Sequence, residues 1–202
     1  MIKTILFDFG DVFLNLNKKA TILELQKLGL QEFTPEMLQL NNQYEKGEIS
    51  SKMFIEFYKT QLPNATHQQL IDSWNSILLD FPEYRLAFLK KLSASKKYQL
   101  LLLSNTNQLH IDWVEKHIKV YEQFKNCFDV FYLSHEIQLR KPDTEVFRFI
   151  LQTHELNANE TLFIDDTFEN TEAAKRLGFH TWNLNPKEDD ITELFTKYSH
   201  LL

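Results

Sequence analysis

The chain of 202 residues is long enough for one sizeable core with a small inserted subdomain, and its share of hydrophobic and charged residues is ordinary for a globular protein. A net charge of -6 without a dense run of Lys and Arg argues against a nucleic-acid-binding surface. The single cysteine, Cys127, excludes an internal disulfide, and no apolar stretch reaches the length of a signal peptide or a membrane helix. We therefore expect a cytoplasmic protein, either monomer or homodimer, without a nucleic-acid or membrane partner.

Five short apolar runs predict β-strands. They are TILFDF (4–9), YQLLLLS (98–104), DVFYLS (129–134), TLFIDD (161–166) and FHTWNL (179–184). The second, third and fourth are nearly continuously apolar, which is typical of strands buried on both faces of a parallel sheet. Between the strands lie helical patterns, such as the spacing of Val146, Phe147 and Ile150. This alternation predicts an α/β fold with a doubly wound, parallel, five-stranded Rossmann-like sheet.

The interval 17–85 differs from the rest of the chain because it contains no convincing strand. Its four helical segments are KKATILELQKLGL, TPEMLQLNNQYEKGE, SKMFIEFYKTQL and THQQLIDSWNSILL. We expect a four-helix cap over the carboxyl ends of the strands, with residues 1–16 and 86–202 forming the α/β core. Tyr44 and Trp74 are expected to fill the interior of the cap.

Polar residues follow four of the predicted strands. In chain order they are Asp8, the segment Ser104-Asn105-Thr106, Lys141 in LRKPD, and the pair Asp165-Asp166. Ligands of open parallel sheets bind beyond the carboxyl ends of the strands, so these groups should share one site. Three neighbouring carboxylates favour a hard cation such as Mg²⁺, while the ammonium and the small donors suit phosphate. Asp8 would then be a nucleophile between metal and phosphate.

Each of these groups has a simpler interpretation by itself. Asp8 is compatible with a turn, the SNT segment and the Asp165-Asp166 pair with helix caps, and Lys141 with the protein surface. Their order at four strand ends favours a common site over four unrelated coincidences.

The stretches FDFGDV, LLLSNTN, RKPD and FIDDTFEN resemble the four ordered motifs of the haloacid dehalogenase-like hydrolases, in the branch with a helical cap after the first motif. YEKGEIS and YLSHEIQLRKPD further resemble the glucose-1-phosphate phosphatases of that superfamily. The resemblance implies a Mg²⁺-dependent phosphatase that acts on a small phosphorylated metabolite, such as a sugar phosphate, through an aspartyl-phosphate at Asp8.

The resemblance also implies a role for each residue of the site. The implied metal ligands are Asp8, the backbone carbonyl of Gly10, and Asp166. The implied phosphate-binding groups are Ser104, Asn105 and the loop amides at Gly10 and Asp11. Lys141 would neutralise charge, and Asp165 would act through water or orient the metal ligands.

Gly10 departs from the family pattern, because most phosphatases of the family have a second Asp there, which protonates the leaving group. A general acid typically contributes 10²–10⁴-fold, so its loss lowers the rate without abolishing the reaction. A good leaving group such as an anomeric oxygen depends less on protonation by a general acid. Asp11 and His110 are alternative proton carriers. The competing interpretations are a loop-capping role for Asp11 and a position on a helix surface for His110.

Three residues are candidates for contact with the substrate beyond its phosphate. Glu45 and Lys46 lie in a predicted turn of the cap, where a solvated position is the alternative, and Asn107 follows the SNT segment. Two other functions remain open, a non-catalytic phosphometabolite-binding protein and a metal-independent haloacid dehalogenase. The dehalogenase would not require the Asp165-Asp166 pair.

Overall fold

A computed structural model describes all 202 residues, and its centre is one parallel sheet. The strands are β1 (Thr4–Phe7), β2 (Gln99–Ser104), β3 (Val130–Leu133), β4 (Thr161–Asp165) and β5 (His180–Asn183). They lie in the order β3-β2-β1-β4-β5, and every neighbouring pair is parallel. The predicted five-stranded sheet is thereby confirmed, with β1 in its middle.

Helices cover both faces of this sheet, because successive strand residues point to opposite sides. Ile5 and Phe7 pack into the larger core cluster, whereas Leu6 packs into a second cluster on the other face. The helices are α1 (Ala20–Lys27), α2 (Pro35–Glu45), α3 (Ser51–Gln61), α4 (His67–Asn75), α5 (Glu83–Ser95), α6 (Gln108–His117), α7 (Tyr121–Lys125), α8 (Ser134–Ile137), α9 (Thr144–Thr153), α10 (Phe168–Lys175) and α11 (Leu194–Lys197). Residues of α5, α6, α7 and α11 belong to the first cluster, and residues of α9 and α10 to the second. The fold is doubly wound, as expected.

The third strand is less buried than its sequence predicts. β3 lies at the edge of the sheet, where Val130, Phe131 and Tyr132 are half-buried and Leu133 is buried. An apolar run of this length is compatible with both edge and central positions, so the expectation of burial on both faces was wrong for β3.

The helices α1 to α4 pack around a separate small core. Tyr44 stacks on Phe54 with ring centroids 4.2 Å apart, and Phe54 meets Trp74 edge-on at 4.6 Å. Tyr44 and Trp74 thus pack inside this helical unit. Thr34 and Ser50 accept hydrogen bonds from the amides three residues later and so cap the starts of α2 and α3.

The chain enters and leaves the helical unit along two adjacent segments. The amide of Asn17 donates to the Ile77 carbonyl at 2.8 Å, and the amide of Leu79 donates to Asn15 at 3.1 Å. α5 begins at Glu83, so its first three residues fall within the range predicted for the cap. The division at residues 16/17 and 85/86 stays a prediction. None of the helices combines the length and apolar character needed to cross a membrane.

Candidate active site

Lys141 is the centre of a buried network at the carboxyl edge of the sheet. Its ammonium donates to Asp8 Oδ1 at 2.6 Å, to the Leu103 carbonyl at 2.7 Å and to Asp165 Oδ2 at 2.7 Å. The residue is only 1% exposed. Burial alone would lower its pKa, but the carboxylates of Asp165 and Asp8 outweigh burial and raise the pKa of Lys141. The side chain is therefore a fixed positive charge between two acids.

Asp165, at the end of β4, is fully buried and has protein donors on both carboxylate oxygens. Oδ1 accepts from the Thr167 amide at 2.8 Å, and the Asn170 amide group reaches both oxygens at 3.0 Å. Together with Lys141 these donors hold the carboxylate rigidly. Asp165 is thus suited to orienting its neighbours.

Asp8, Asp165 and Asp166 each bring a carboxylate oxygen within 4.8 Å of the other two. Burial raises the pKa of Asp8 to about 7, with Lys141 opposing the shift and the two neighbouring acids adding to it. Burial also raises the pKa of Asp166, against the effect of Lys18. A buried cluster of mutually repelling carboxylates can bind a hard divalent cation such as Mg²⁺, which prefers oxygen ligands. The cation would favour the ionised forms of the carboxyl groups.

The groups of this cluster differ in how open they are to a cation. Oδ2 of Asp8 has no hydrogen-bond partner, whereas both oxygens of Asp165 are occupied. The Gly10 carbonyl accepts one hydrogen bond, from the Val12 amide at 2.7 Å, and keeps a second lone pair. Asp166 is bound by the ammonium of Lys18. Oδ1 of Asp166 has only a long contact, 3.4 Å, with the Thr167 hydroxyl. Asp8, Gly10 and Asp166 therefore each keep an oxygen more open to Mg²⁺ than the oxygens of Asp165.

Leu16 packs closely beside Gly10. A Cβ added at Gly10 would lie 2.7 Å from Leu16 Cδ1 and 4.0 Å from Asp8 Oδ2. The apolar side chain of Leu16 therefore fills the space into which a longer residue at position 10 would project. No proton-transferring group faces Asp8 from position 10.

Asp11 is turned into its own loop and does not replace that group. Its backbone is left-handed, with φ of 55°, and its amide donates to the Leu14 carbonyl at 2.7 Å. Oδ1 accepts from the Leu16 amide at 3.0 Å, and Oδ2 lies 3.3 Å from the ammonium of Lys18. The phosphate-binding amide expected at Asp11 is thus used within the turn, and the loop-capping interpretation describes the side chain.

Asn105 binds the loop of Lys141 and also lines the cavity that contains Asp8. Its Nδ2 donates to the Lys141 carbonyl at 2.7 Å, and the Lys141 amide donates to its Oδ1 at 2.9 Å. The side chain therefore positions the loop of Lys141, and its Nδ2 keeps a second N–H. Ser104, at the end of β2, lines a cavity together with Gly10.

Asn107 and His110 join the sheet side of the molecule to the helical unit. Asn107 is buried, and its Oδ1 accepts from the Trp74 indole at 3.3 Å and from the His110 amide at 3.1 Å. The His110 ring stacks on Trp74, and its Nε2 lies 3.3 Å from the Trp74 carbonyl. Burial lowers the pKa of His110 to about 4, with the Trp74 carbonyl opposing the shift. Asn107 does not line the cavity that contains Asp8. His110 is half-buried, lines a cavity with Gly10 and Ser104, and has partners for both ring nitrogens.

Glu45 and Lys46 lie side by side but point to different places. Oε2 of Glu45 accepts from Arg140 Nη2 at 2.8 Å and Nε at 3.1 Å, on the wall of the cavity that contains Asp8. The Lys46 ammonium lies 3.0 Å from Asp143, outside that cavity. A solvated turn therefore describes Lys46 better than it describes Glu45.

Most of the residues that line the cavity over this network are polar. The cavity measures about 450 Å³ and opens to solvent. Its lining residues are Asp8, Gly10, Leu16, Lys18, Glu45, Ile77, Asn105, Arg140, Lys141, Pro142, Asp166, Thr167, Glu169 and Asn170. Sequence reasoning missed Arg140, Lys18 and Leu16, because no local pattern indicates where their side chains point. Asn170 lies within the FIDDTFEN motif, and this motif was the sequence feature that could have identified it as a site residue.

The chain is similar in sequence and in structure to several known proteins. The model of the haloacid dehalogenase-like hydrolase family matches residues 5–184. The chain is 27% identical to D-ribitol-5-phosphate phosphatase of Bacteroides thetaiotaomicron, over 90% of this chain and 91% of the relative. A HAD family enzyme from Bacteroides thetaiotaomicron, solved with magnesium and inorganic phosphate, shares 34% identity and a TM-score of 0.82 over 100% of both chains. A dehalogenase structure shares the fold alone, with 16% identity and a TM-score of 0.60 over 96% of this chain and 89% of that one.

Proposed function

Because the chain belongs to the haloacid dehalogenase-like hydrolase family, we propose that it is a Mg²⁺-dependent phosphatase acting on a small phosphorylated metabolite. One observation carries the proposal: the buried ammonium of Lys141 binds both Asp8 and Asp165, with Asp166 close by. This arrangement combines a nucleophile, a set of metal ligands and a counter-charge for phosphate. A relative named as a phosphatase and another solved with magnesium and phosphate support the same reaction.

The metal would be held by the carboxylates of Asp8 and Asp166 and the carbonyl of Gly10. When bound, Mg²⁺ supplies positive charge that polarises the phosphoryl oxygens. Asp165 keeps Lys141 in place, since its own oxygens are already bonded to protein donors.

The chain's own residues account for the remaining chemistry. An oxygen of Asp8 attacks phosphorus, the bond from phosphorus to the leaving oxygen breaks, and that oxygen takes a proton from solvent. Lys141 orients Asp8 and offsets the negative charge of the transferred group, while Ser104 binds a phosphate oxygen. Water then attacks phosphorus, the bond to Asp8 breaks, and phosphate leaves with the carboxylate restored.

The identity of the substrate is part of the proposal, and two observations support a choice, one from this chain and one from a relative. Gly10 has no side chain to donate a proton to the leaving group, which favours a substrate with a good leaving group, a sugar 1-phosphate such as glucose 1-phosphate. The named substrate of the curated relative is D-ribitol 5-phosphate, whose leaving oxygen is a primary alcohol. Both are polyhydroxylated, as suits a cavity with few apolar residues.

The test is phosphate release from glucose 1-phosphate, D-ribitol 5-phosphate and p-nitrophenyl phosphate, with Mg²⁺ and with chelator. We expect release that needs Mg²⁺ and falls by about 10⁴-fold or more in Asp8→Asn, because the nucleophile is lost. Asp72→Asn, on the outer surface of α4, serves as the matched control and keeps the wild-type rate. Release that persists in Asp8→Asn would refute the assigned nucleophile.

The absence of a general acid at Gly10 also favours a second candidate, a phosphometabolite-binding protein without turnover. Binding of phosphate esters without release of phosphate from any of them would establish it. Metal-independent release of halide from a haloacid would instead support the dehalogenase, for which the acidic cluster at Asp8, Asp165 and Asp166 has no evident use.

A further inference from the structure

Arg140 and Glu45 form an ion pair on the cavity wall that faces the helical unit. Nε and Nη2 of Arg140 both donate to the single oxygen Oε2 of Glu45. The other carboxylate oxygen, Oε1, and the other terminal nitrogen, Nη1, have no hydrogen-bond partner within the protein. The side chains are 22% and 27% exposed, so both can meet a ligand in the cavity.

These free groups suit hydroxyl groups rather than another charged group. A hydroxyl both donates and accepts, so neighbouring hydroxyls can donate to Oε1 and accept from Nη1. The charges of Arg140 and Glu45 cancel, which gives the wall no net attraction for a second phosphate or a carboxylate. A phosphate ester whose remaining part is a neutral polyol therefore fits this wall best.

The pair is also tied directly to the reacting group. Arg140 immediately precedes Lys141, which holds Asp8 at 2.6 Å. The backbone carbonyl of Glu45 accepts from the Ser134 hydroxyl at 2.6 Å, which fixes the end of α2 against the sheet side of the molecule. A hydroxyl bound by the pair would thus be held at a constant position relative to the nucleophile.

We propose that Arg140 and Glu45 are specificity-determining residues that recognise the hydroxyl groups of a neutral polyol monophosphate. This inference rests on the proposed phosphatase function and names its substrate class. A site built to hydrogen-bond hydroxyls discriminates against ligands without them, because its own polar groups are then left unpaired.

The experiment compares two substrates in matched variants. For wild type, Arg140→Gln, Glu45→Gln and the double variant, kcat/KM is measured for the better of D-ribitol 5-phosphate and glucose 1-phosphate, and for p-nitrophenyl phosphate, which has no hydroxyls. We expect the ratio of the two values to fall about 10- to 100-fold in each single variant. The double variant should fall little further, since the two side chains act as a unit. The ratio for Arg140→Lys should lie between those of wild type and Arg140→Gln, because lysine keeps the positive charge and lacks the planar set of guanidinium donors.

Asp143→Asn is the control, because it breaks the neighbouring ion pair with Lys46, outside the cavity. Its substrate ratio should stay within about twofold of wild type. An equal fall of kcat/KM for both substrates in the Arg140 and Glu45 variants would make the pair a structural clamp and overturn the proposal, as would an unchanged ratio. If wild type releases no phosphate, the affinities for D-ribitol 5-phosphate and inorganic phosphate are measured by calorimetry, and their ratio replaces the ratio of kcat/KM values. A failure of turnover is thereby distinguished from a failure of hydroxyl recognition.

Discussion

Two adjacent residues of one loop, Lys141 and Arg140, have opposite surroundings. The ammonium of Lys141 is 1% exposed and bonds three acceptors within 2.7 Å. The guanidinium of Arg140 is 22% exposed, bonds one carboxylate oxygen of Glu45, and keeps donors free. The first belongs to the wall formed by the strand ends, and the second to the wall shared with the helical unit.

The difference separates two tasks within one cavity. The Lys141 ammonium donates to three acceptors and both oxygens of Asp165 are bonded, so the geometry of this wall is set before any ligand arrives, as phosphoryl transfer needs. Around Arg140 some donors and acceptors are left for the ligand. The buried wall is suited to the reaction itself, and our proposal places substrate choice at the half-exposed wall.

Removal of the buried cation should produce the largest change in stability. Lys141→Met leaves Asp8 and Asp165 buried without their counter-charge, and we expect a loss of about 3–5 kcal/mol in the free energy of unfolding. Arg140→Met should lose less than about 1 kcal/mol, because its ion pair is half-exposed. Urea denaturation in chelator measures both.

The double variant Lys141→Met/Asp165→Asn checks the cause of that loss. It should regain part of the stability, since one of the two uncompensated charges is removed. Equal losses for Lys141→Met and Arg140→Met would contradict the distinction between the two walls.

Acid should weaken the junction between the helical unit and the sheet side. Burial lowers the pKa of His110 to about 4, below the 6.5 of an unfolded chain. The unfolded state therefore binds the proton first, and the stability contributed by neutral His110 is complete above pH 6.5 and declines as pH falls towards 4. We expect about 1–3 kcal/mol to be lost over this interval. Urea denaturation between pH 7 and pH 4.5 should show a shallower decline in His110→Gln, and equal slopes would contradict the assignment.

Gly47 tests how closely the end of α2 must approach the sheet side. It has a φ of +67°, and a Cβ added there would lie 2.0 Å from the His135 carbonyl oxygen. Gly47→Ala should destabilise the protein by at least about 2 kcal/mol, because the backbone strain and the clash add. It should also raise KM for the polyol phosphate, because Glu45 is pushed from its place. Gly29→Ala is the matched control, with a φ of +108° and a nearest neighbour at 3.9 Å. A comparable rise of KM in Gly29→Ala would show that backbone strain alone is responsible.

The smallest effect is expected at Gly10. The Cβ of Gly10→Ala would press on Leu16 Cδ1, the flexible end of a side chain, and we expect a cost of about 1 kcal/mol. The double variant Gly10→Ala/Leu16→Ala should lose less than the sum of the two single variants, because the clash is relieved. Additive losses in thermal or urea unfolding would mean that Leu16 does not restrict position 10.

The sequence predicted the sheet and its ligand-bearing edge well, and individual contacts less well. The strands, the double winding and the assembly of Asp8, Lys141, Asp165 and Asp166 at one edge are confirmed by the structure. By contrast, the sequence does not reveal that Asn105 binds the Lys141 backbone or that Asn107 is buried against Trp74. Asparagine has several donors and acceptors, and the residue type alone does not reveal which neighbour uses them.

The sequence by itself determined the fold class, the order of the strands along the chain and the set of reactive groups. Hydrophobic periodicity is local, and parallel strands bring their carboxyl ends to one edge whatever the loops do. Only the tertiary structure decided that Leu16 covers Gly10, that Asp11 turns into its own loop, and that Glu45 meets Arg140. These contacts depend on loop conformation and on packing between distant parts of the chain, which leave no periodic pattern in the sequence.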